Sequence, residues 1–199
     1  MESFTIRAPG RLAVRPLRPE DEVGVAQLSA ACDDYFVAAT GSTALTADGQ
    51  SMHYSLPDGA DFYQKHLLVL MREDTPVGLV DAVEGHPEPT TCSVGLFLLD
   101  PQARGKGLGT RAAQHLLREA EARGTRHVTA TCPRSWARGI AFLEQLGFAV
   151  SQPEPQSSTA VGNRLRRPTE RQLCTAVRRL GNDAVGAPAA ANRTEDGAS

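Results

Sequence analysis

The order of apolar segments predicts a mixed α/β fold, a mostly antiparallel sheet with helices on both faces. Three observations carry this. Short apolar runs at residues 66–72, 77–84 and 92–99 follow one another with only turn residues between them, as antiparallel strands do. Beyond residue 99 a helix, a strand, a helix and a strand pattern alternate, which makes a βαβ-like unit. Last, 199 residues with 41% hydrophobic and 22% charged side chains suit one domain with a full core.

Each element has its own reason. Residues 12–17 alternate apolar and basic side chains and read as a first strand. Pro19, Glu20 and Asp21 open a helix, since proline presets φ in the first turn and acids favour the positive helix end. That helix is expected over about 20–31, with Val23, Ala26, Gln27 and Ala30 on one face. Over 32–60 periodicity is poor, and short helical pieces and a loop are expected, suited to recognition more than to core building.

The runs at 66–72, 77–84 and 92–99 are separated by turns at 73–76 and 85–89. In the third run Gly95 breaks the alternation and marks a bulge or a close approach by another backbone. A helix over 108–123 follows, with Leu108, Ala112, Leu116, Leu117 and Ala120 on its apolar face and Gly124 past its end. A strand over 127–132 stops at Pro133, and Ser135 is the expected N-cap of a helix ending at Leu146, with Trp136, Ile140, Leu143 and Leu146 at helical spacing. Strands at 148–152 and 172–178 flank a polar loop at 153–168. Residues 1–180 therefore form one expected domain, and 181–199, lacking a core pattern, an expected disordered tail.

Composition excludes several classes. With 21 basic and 23 acidic residues the net charge is -2, which argues against a dedicated nucleic-acid binder or a polybasic membrane protein. No apolar run approaches the ~18 residues of a membrane span. The first ten residues hold no continuous apolar stretch, so no secretory leader and a cytoplasmic location are expected. Cys32, Cys92, Cys132 and Cys174 form no CxxC pair and read as free thiols. His53, His66, His115 and His127 have no metal-ligand spacing, so no metal is expected.

The most informative segment is 94–123. Gly105, Gly107 and Gly109 stand at alternate positions in a loop that opens a helix, where backbone N–H groups can converge on a phosphate. Arg104 and Lys106 add charge. A P-loop is excluded because Lys106 is followed by Gly107 rather than Ser or Thr. The Rossmann fingerprint is met only in its G-x-G-x-x-A form, and the next strand ends Thr131-Cys132-Pro133 without the acid it needs.

Arg104-Gly105-Lys106-Gly107-Leu108-Gly109 matches an R/Q-x-x-G-x-G/A signature, and the run from Arg138 to Leu146-Gly147-Phe148 is similar to a helix-and-strand signature ending in Leu-Gly-Phe. In these motifs the chain resembles the GNAT superfamily of acyl-CoA-dependent N-acyltransferases, over about residues 12–178 and most specifically in the second half. The resemblance implies a sheet with a splayed strand pair, the bulged strand and the one from His127, with the pantetheine arm of coenzyme A in the gap. Backbone groups of Phe97, Leu98 and Leu99 would pair with its amides. The loop of Arg104, Gly105, Lys106, Gly107, Leu108, Gly109 and Thr110 would hold the pyrophosphate. Acetyl-CoA, or another acyl-CoA, is then the co-substrate. A short acyl group passes to a primary amine of a small molecule or peptide by direct attack, with no nucleic acid or membrane involved. A homodimer is a family-level expectation.

The pattern departs from the family in one place. Many members carry Asn seven residues before a Tyr that protonates the departing thiolate; here those positions are Trp136 and Leu143. Leu143 has no proton to give. Another group or water protonates the thiolate, or it leaves unassisted, or the chain is a catalytically degenerate CoA-binding or regulatory module. Cys132 and Trp136 read as packing residues near the splay. Candidate bases are Asp81, Glu84 and His86, with Asp81 first because a charge between Val80 and Ala82 needs a partner, which a substrate ammonium can supply. Asp33, Asp34 and Tyr35 are candidate substrate-binding residues, since acids there favour a cationic amine.

Overall fold

Pairing runs β1-β2-β3-β4-β5-β6-β8-β7 across a sheet of eight strands. The computed structural model describes residues 4–6, 12–44, 54–151 and 173–181. In chain order these hold β1 (Phe4–Ile6), β2 (Leu12–Pro16), α1 (Glu22–Ala31), α2 (Asp33–Thr40), β3 (Lys65–Arg72), β4 (Thr75–Glu84) and β5 (Thr91–Leu99). They continue with α3 (Leu108–Ala122), β6 (His127–Pro133), α4 (Ala137–Gln145), β7 (Ala149–Ser151) and β8 (Leu173–Arg179). Every pair is antiparallel except β5–β6, which is parallel and is bridged by α3. The expected polar loop, the tail from residue 182 and residues 45–53 lie outside the described residues.

The sheet is buried on both faces, and its strands are accordingly rich in Leu and Val. On one face α3 lays Leu108 and Ala112 against Leu68, Leu70 and Val80. Further along the same face its Leu117 and Ala120 meet Val128 and Phe148, with Phe142 and Leu143 of α4 packed against them. The other face carries α1 and α2, whose Val25, Leu28, Cys32 and Phe36 pack on Leu79, Leu96 and Leu98.

The expected buried face of α1 is corrected. Val23 is 69% exposed, and the buried stripe is Val25, Leu28 and Ser29. The cause is at Gly24, where a Cβ would stand 2.7 Å from Pro76 Cγ. The helix comes close to β4 on its glycine side, which turns Val25 and Leu28 inward. The start of α1 is pinned by Asp21, which accepts bonds from Arg15 Nη1 and Nη2 at 2.7 Å each and from the Arg18 amide at 2.9 Å. The short helical piece expected after residue 32 is α2, closed by Gly41 in the left-handed region. Ser135 does not cap α4: Trp136 holds the cap position without a side-chain bond, and the Ser135 hydroxyl donates to the Ala38 carbonyl at 3.4 Å. Strand β1 has no counterpart in the sequence reading, since three residues are too few for a period to register. Among the described residues no helix is long and apolar enough to cross a membrane.

Candidate active site

The bulge expected at Gly95 is present. Asp81 pairs with Leu96 and Ala82 with Val94, so Gly95 is the extra residue on β5. The parallel pairing of β5 with β6 covers Thr91 to Val94 against His127 to Ala130 and ends there. Beyond that point β6 stays paired with β8, as far as Pro133, while β5 loses its neighbour. A bulge bends and twists its strand, and the two strands part just after it. Phe142 of α4 fills one side of the opening, its ring 5.4 Å from that of Phe97.

The parting leaves a cleft of about 450 Å³. Gly95, Leu96, Phe97 and Leu99 line it from β5, and Thr131 and Cys132 from β6. The loop contributes Arg104, Gly105, Gly107, Gly109 and Thr110, and α4 contributes Arg138, Phe142 and Leu143. Tyr35 of α2 and Trp136 complete the wall. A Cβ at Gly95 would meet nothing within 4 Å, so the glycine keeps space open in the cleft.

Gly105 and Gly107 both have φ +72, a region that L side chains avoid. These turns bring the chain round to Gly107, the N-cap of α3, which offers no side chain to the helix end. The Arg111 amide is the one that bonds back to the Gly107 carbonyl. The amides of Leu108, Gly109 and Thr110 precede the first turn and have no intrahelical acceptor. A positive helix end with free N–H groups therefore borders the cleft, which suits a phosphate.

The side chains of the loop divide by role. Arg104 lines the cleft but its guanidinium is engaged: Nε donates to the Leu99 carbonyl at 2.8 Å, Nη2 to Asp34 Oδ1 at 3.1 Å, and Nη1 pairs with Asp34 Oδ2. It also lies 5.8 Å from the Trp136 ring centre. Arg104 thus ties the glycine loop to α2. Lys106 points outward and donates to the Gln102 carbonyl at 2.9 Å. Leu108 is buried under the sheet with α3, and Leu98 is buried on the opposite face with α1. For those two, any contact with a ligand rests on the backbone. Arg138, inside the second motif, lines the cleft and was not singled out from sequence, because its neighbours alone do not say which way it turns.

The fold does not gather the candidate bases in the cleft. Asp81 meets a cation from the chain itself: Lys65 Nζ lies 2.8 and 2.9 Å from its two oxygens and also donates to the Ser55 carbonyl at 2.8 Å. The partner expected for that mid-strand charge is therefore Lys65 rather than a substrate ammonium. Asp81 is still in register with Leu96, which lines the cleft. Glu84 bonds His66 Nε2 and Arg123 Nε, each at 3.0 Å, which ties β4 to β3 and α3. Burial, above all, lowers the His66 pKa. His86 sits in the turn before β5, and its carbonyl accepts from the Ser93 hydroxyl at 2.8 Å.

The three substrate-side candidates also separate. Asp33 accepts from the Ala44 amide at 3.3 Å on the surface. Asp34 is held below the usual carboxylate range by its bond to Arg104. Tyr35 faces the cleft, and burial pushes its phenol up to about 12. Cys132 also faces the cleft, but burial pushes its thiol up to about 11, so it is a neutral thiol at neutral pH. Cys32 and Cys92 are raised to about 11 for the same reason.

Solved structures share this fold. The chain aligns with an acetyltransferase from Thermus thermophilus at 21% identity and a TM-score of 0.62, covering 85% of this chain and 97% of the other. It aligns with the Salmonella typhimurium acetyltransferase that modifies the N-terminal serine of ribosomal protein L7/L12 at 13% identity and a TM-score of 0.64, covering 89% and 100%. A third likeness is the Thermoplasma acidophilum PaiA N-acetyltransferase in complex with coenzyme A, at 12% identity and a TM-score of 0.57, covering 85% and 99%. At such identities these likenesses speak for the fold. No curated protein matches the chain in sequence. The sequence profile of the Acetyltransferase (GNAT) family matches residues 33–148, from α2 through the glycine loop to the end of α4, and the chain belongs to that family.

Proposed function

We propose that the protein moves an acetyl or other short acyl group from acyl-CoA to a primary amine, by direct attack in a ternary complex. One observation carries this: the uncapped N-terminus of α3 and the parted strands β5 and β6 border one continuous cleft. The residues fit the co-substrate. The free amides of Leu108 to Thr110 suit the pyrophosphate. The edge of β5 beyond Val94, released from β6, offers backbone groups to the pantetheine amides. Arg104, at the same mouth, is paired with Asp34 and holds α2 in place.

In the reaction the amine nitrogen bonds to the thioester carbonyl carbon, a tetrahedral intermediate forms, and the carbon–sulfur bond breaks with its electron pair on sulfur. The ammonium must first lose a proton. Asp81 is the candidate base best positioned by register, and it acts through water because Lys65 occupies its oxygens directly. Glu84, at the end of β4, and His86, in the turn after it, lie beside the stretch where β5 and β6 are still paired. Amide donors freed at the bulge suit the oxyanion. The acceptor is a small-molecule or peptide amine. The Salmonella neighbour, which acts on an N-terminal serine, supports the peptide branch. Four buried, unpaired thiols support a reducing, cytoplasmic setting.

A second reading has its own observation. Leu143 lines the cleft where the family often has its proton donor, which favours a CoA-binding module without turnover. One experiment separates the two. Purified protein is titrated with acetyl-CoA by calorimetry, then incubated with acetyl-CoA and, separately, spermidine, kanamycin and a serine-terminated peptide, with acetylated product read by mass spectrometry. Binding and product support transfer. Binding without product from any amine supports the module, and absence of binding removes both.

A further inference from the structure

We propose that Tyr35 donates its phenolic proton to the coenzyme A thiolate as the thioester breaks, supplying the function that Leu143 cannot. This rests on the acyl-transfer reading above.

Position is the first argument. Tyr35 belongs to α2, which packs against β6, and its ring also joins the core around Leu96 of β5. It lines the cleft together with Gly95 and Leu96 on one strand and Thr131 and Cys132 on the other. The ring therefore bridges the two strands where they part, beside the bulge at which the thioester carbonyl is expected.

Rigidity is the second. The Tyr35 ring stands edge-on to Trp136 at 5.2 Å and 73°, and to Phe36 at 5.3 Å and 83°. Aromatic neighbours on two sides fix the direction of the hydroxyl. Trp136, at the position where the family often has Asn, is thus the brace for a donor that enters from α2.

The third argument is what the hydroxyl lacks. Among the described residues it has no hydrogen-bond partner, although Asp33, Asp34 and Thr40 on the same helix all have one. Phenols normally find a partner, and this hydroxyl is open to the cleft, where a bound ligand atom can take the place of water. The neighbouring Cys132 is a poorer choice, because its thiol already contacts the Pro133 carbonyl at 3.7 Å and its sulfur packs where a Cβ on Gly139 would stand 2.8 Å away.

Proton affinities are compatible with the transfer. Burial holds Tyr35 at about 12, so the phenol is protonated throughout the neutral range. The same desolvation raises the Cys132 thiol beside it to about 11, and a coenzyme A sulfur in that cleft is made more basic in the same way. Donor and acceptor are thus brought near each other, which is the condition for general acid catalysis. The charged side chains that line the same cleft are Arg104, which is paired with Asp34 and lies by Trp136, and Arg138. The step balances: the nitrogen–carbon bond forms, the carbon–sulfur bond breaks and the sulfur takes the phenolic proton, while the nitrogen gives up two protons in becoming an amide, one to solvent through the base before attack and one through water to the phenolate.

Tyr35→Phe keeps the ring and its contacts and removes only the hydroxyl. Two readouts are used. Calorimetry compares coenzyme A with desulfo-coenzyme A. Wild type is expected to favour coenzyme A several-fold and Tyr35→Phe to bind both alike. Single-turnover transfer from acetyl-CoA to the amine that wild type accepts is expected to fall on the order of 100-fold, with acetyl-CoA affinity unchanged. Acetyl 4-nitrothiophenol, whose thiolate leaves without help, should narrow that deficit. A Tyr35→Phe protein with wild-type single-turnover rate overturns the proposal. So does equal loss of affinity for both ligands, which would mark the residue as packing alone. If wild type transfers to no amine, the acyl-transfer reading fails, and the two-ligand comparison still decides whether Tyr35 touches sulfur.

Discussion

Two regions meet at the cleft and are built from different materials. From β5 through α4 the wall is mainly backbone: a bulge at Gly95, left-handed turns at Gly105 and Gly107, and the free amides of α3. The other region, α1 and α2 with β2 to β4, puts Tyr35 on the cleft and is held behind it by side chains in ion pairs: Arg15 with Asp21, Lys65 with Asp81, and Asp34 with Arg104 of the loop. The first region makes a shape that any molecule with the right phosphates and amides can enter. The second sets charge and donors one residue at a time. The comparison teaches that a wall of backbone can be specified by glycine placement, while a region of paired side chains depends on contacts between residues distant in the chain.

The largest expected effect tests the backbone half. Gly95→Val places atoms in space that is open in the folded protein. The melting temperature should hold, while coenzyme A affinity drops on the order of 100-fold, equivalent to ~2.7 kcal/mol. Unchanged affinity by calorimetry would break the assignment of the gap to the pantetheine arm.

Asp21→Asn tests the side-chain half at a distance from the cleft. Removing the charge should cost about 1.5–3 kcal/mol in urea unfolding, with coenzyme A affinity preserved. The pH dependence follows from the sign of the shift. The bond from Arg15 holds the Asp21 carboxyl below its ordinary value. Its contribution is therefore complete above the unfolded pKa of ~3.9 and is lost as pH falls through the lower folded value. Wild type should lose its advantage over Asp21→Asn below about pH 4. An advantage that persisted at lower pH would contradict the ion pair.

The smallest effect sharpens the comparison at the one link between the regions. Arg104→Lys keeps the charge but gives up the two-pronged contact with Asp34. Asp34 is 44% exposed at its side chain, so stability should change by under ~1 kcal/mol. Amide exchange in α2 should nevertheless quicken, and an unaltered α2 would mean that Arg104 does not hold it.

The legibility of each half follows from this difference. The glycine loop, the bulge and the Leu-Gly-Phe helix ending are local, so their physics sits within a few consecutive residues and is visible in sequence. The rotation of α1 depends on a close approach between Gly24 and Pro76, more than fifty positions apart. The partner of Asp34 lies 70 positions away, and that of Asp81 lies on the adjacent strand at 16. Periodicity could not separate two similar stripes on α1, and charge patterning offered Asp81 a substrate ammonium where the fold supplies Lys65.

By itself the sequence determined the element order from β2 onward, the bulge position and the phosphate-competent loop, because glycine conformations and apolar periods act over one or two turns of chain. Tertiary structure alone decided which charges were already neutralised and which donor was left free. Tyr35 carried no such signal in the chain, since its role depends on α2 reaching β6 and on Trp136 standing beside its ring. Those contacts exist only in the folded chain, because a hydroxyl's partners are set by neighbours in space and not by neighbours in sequence.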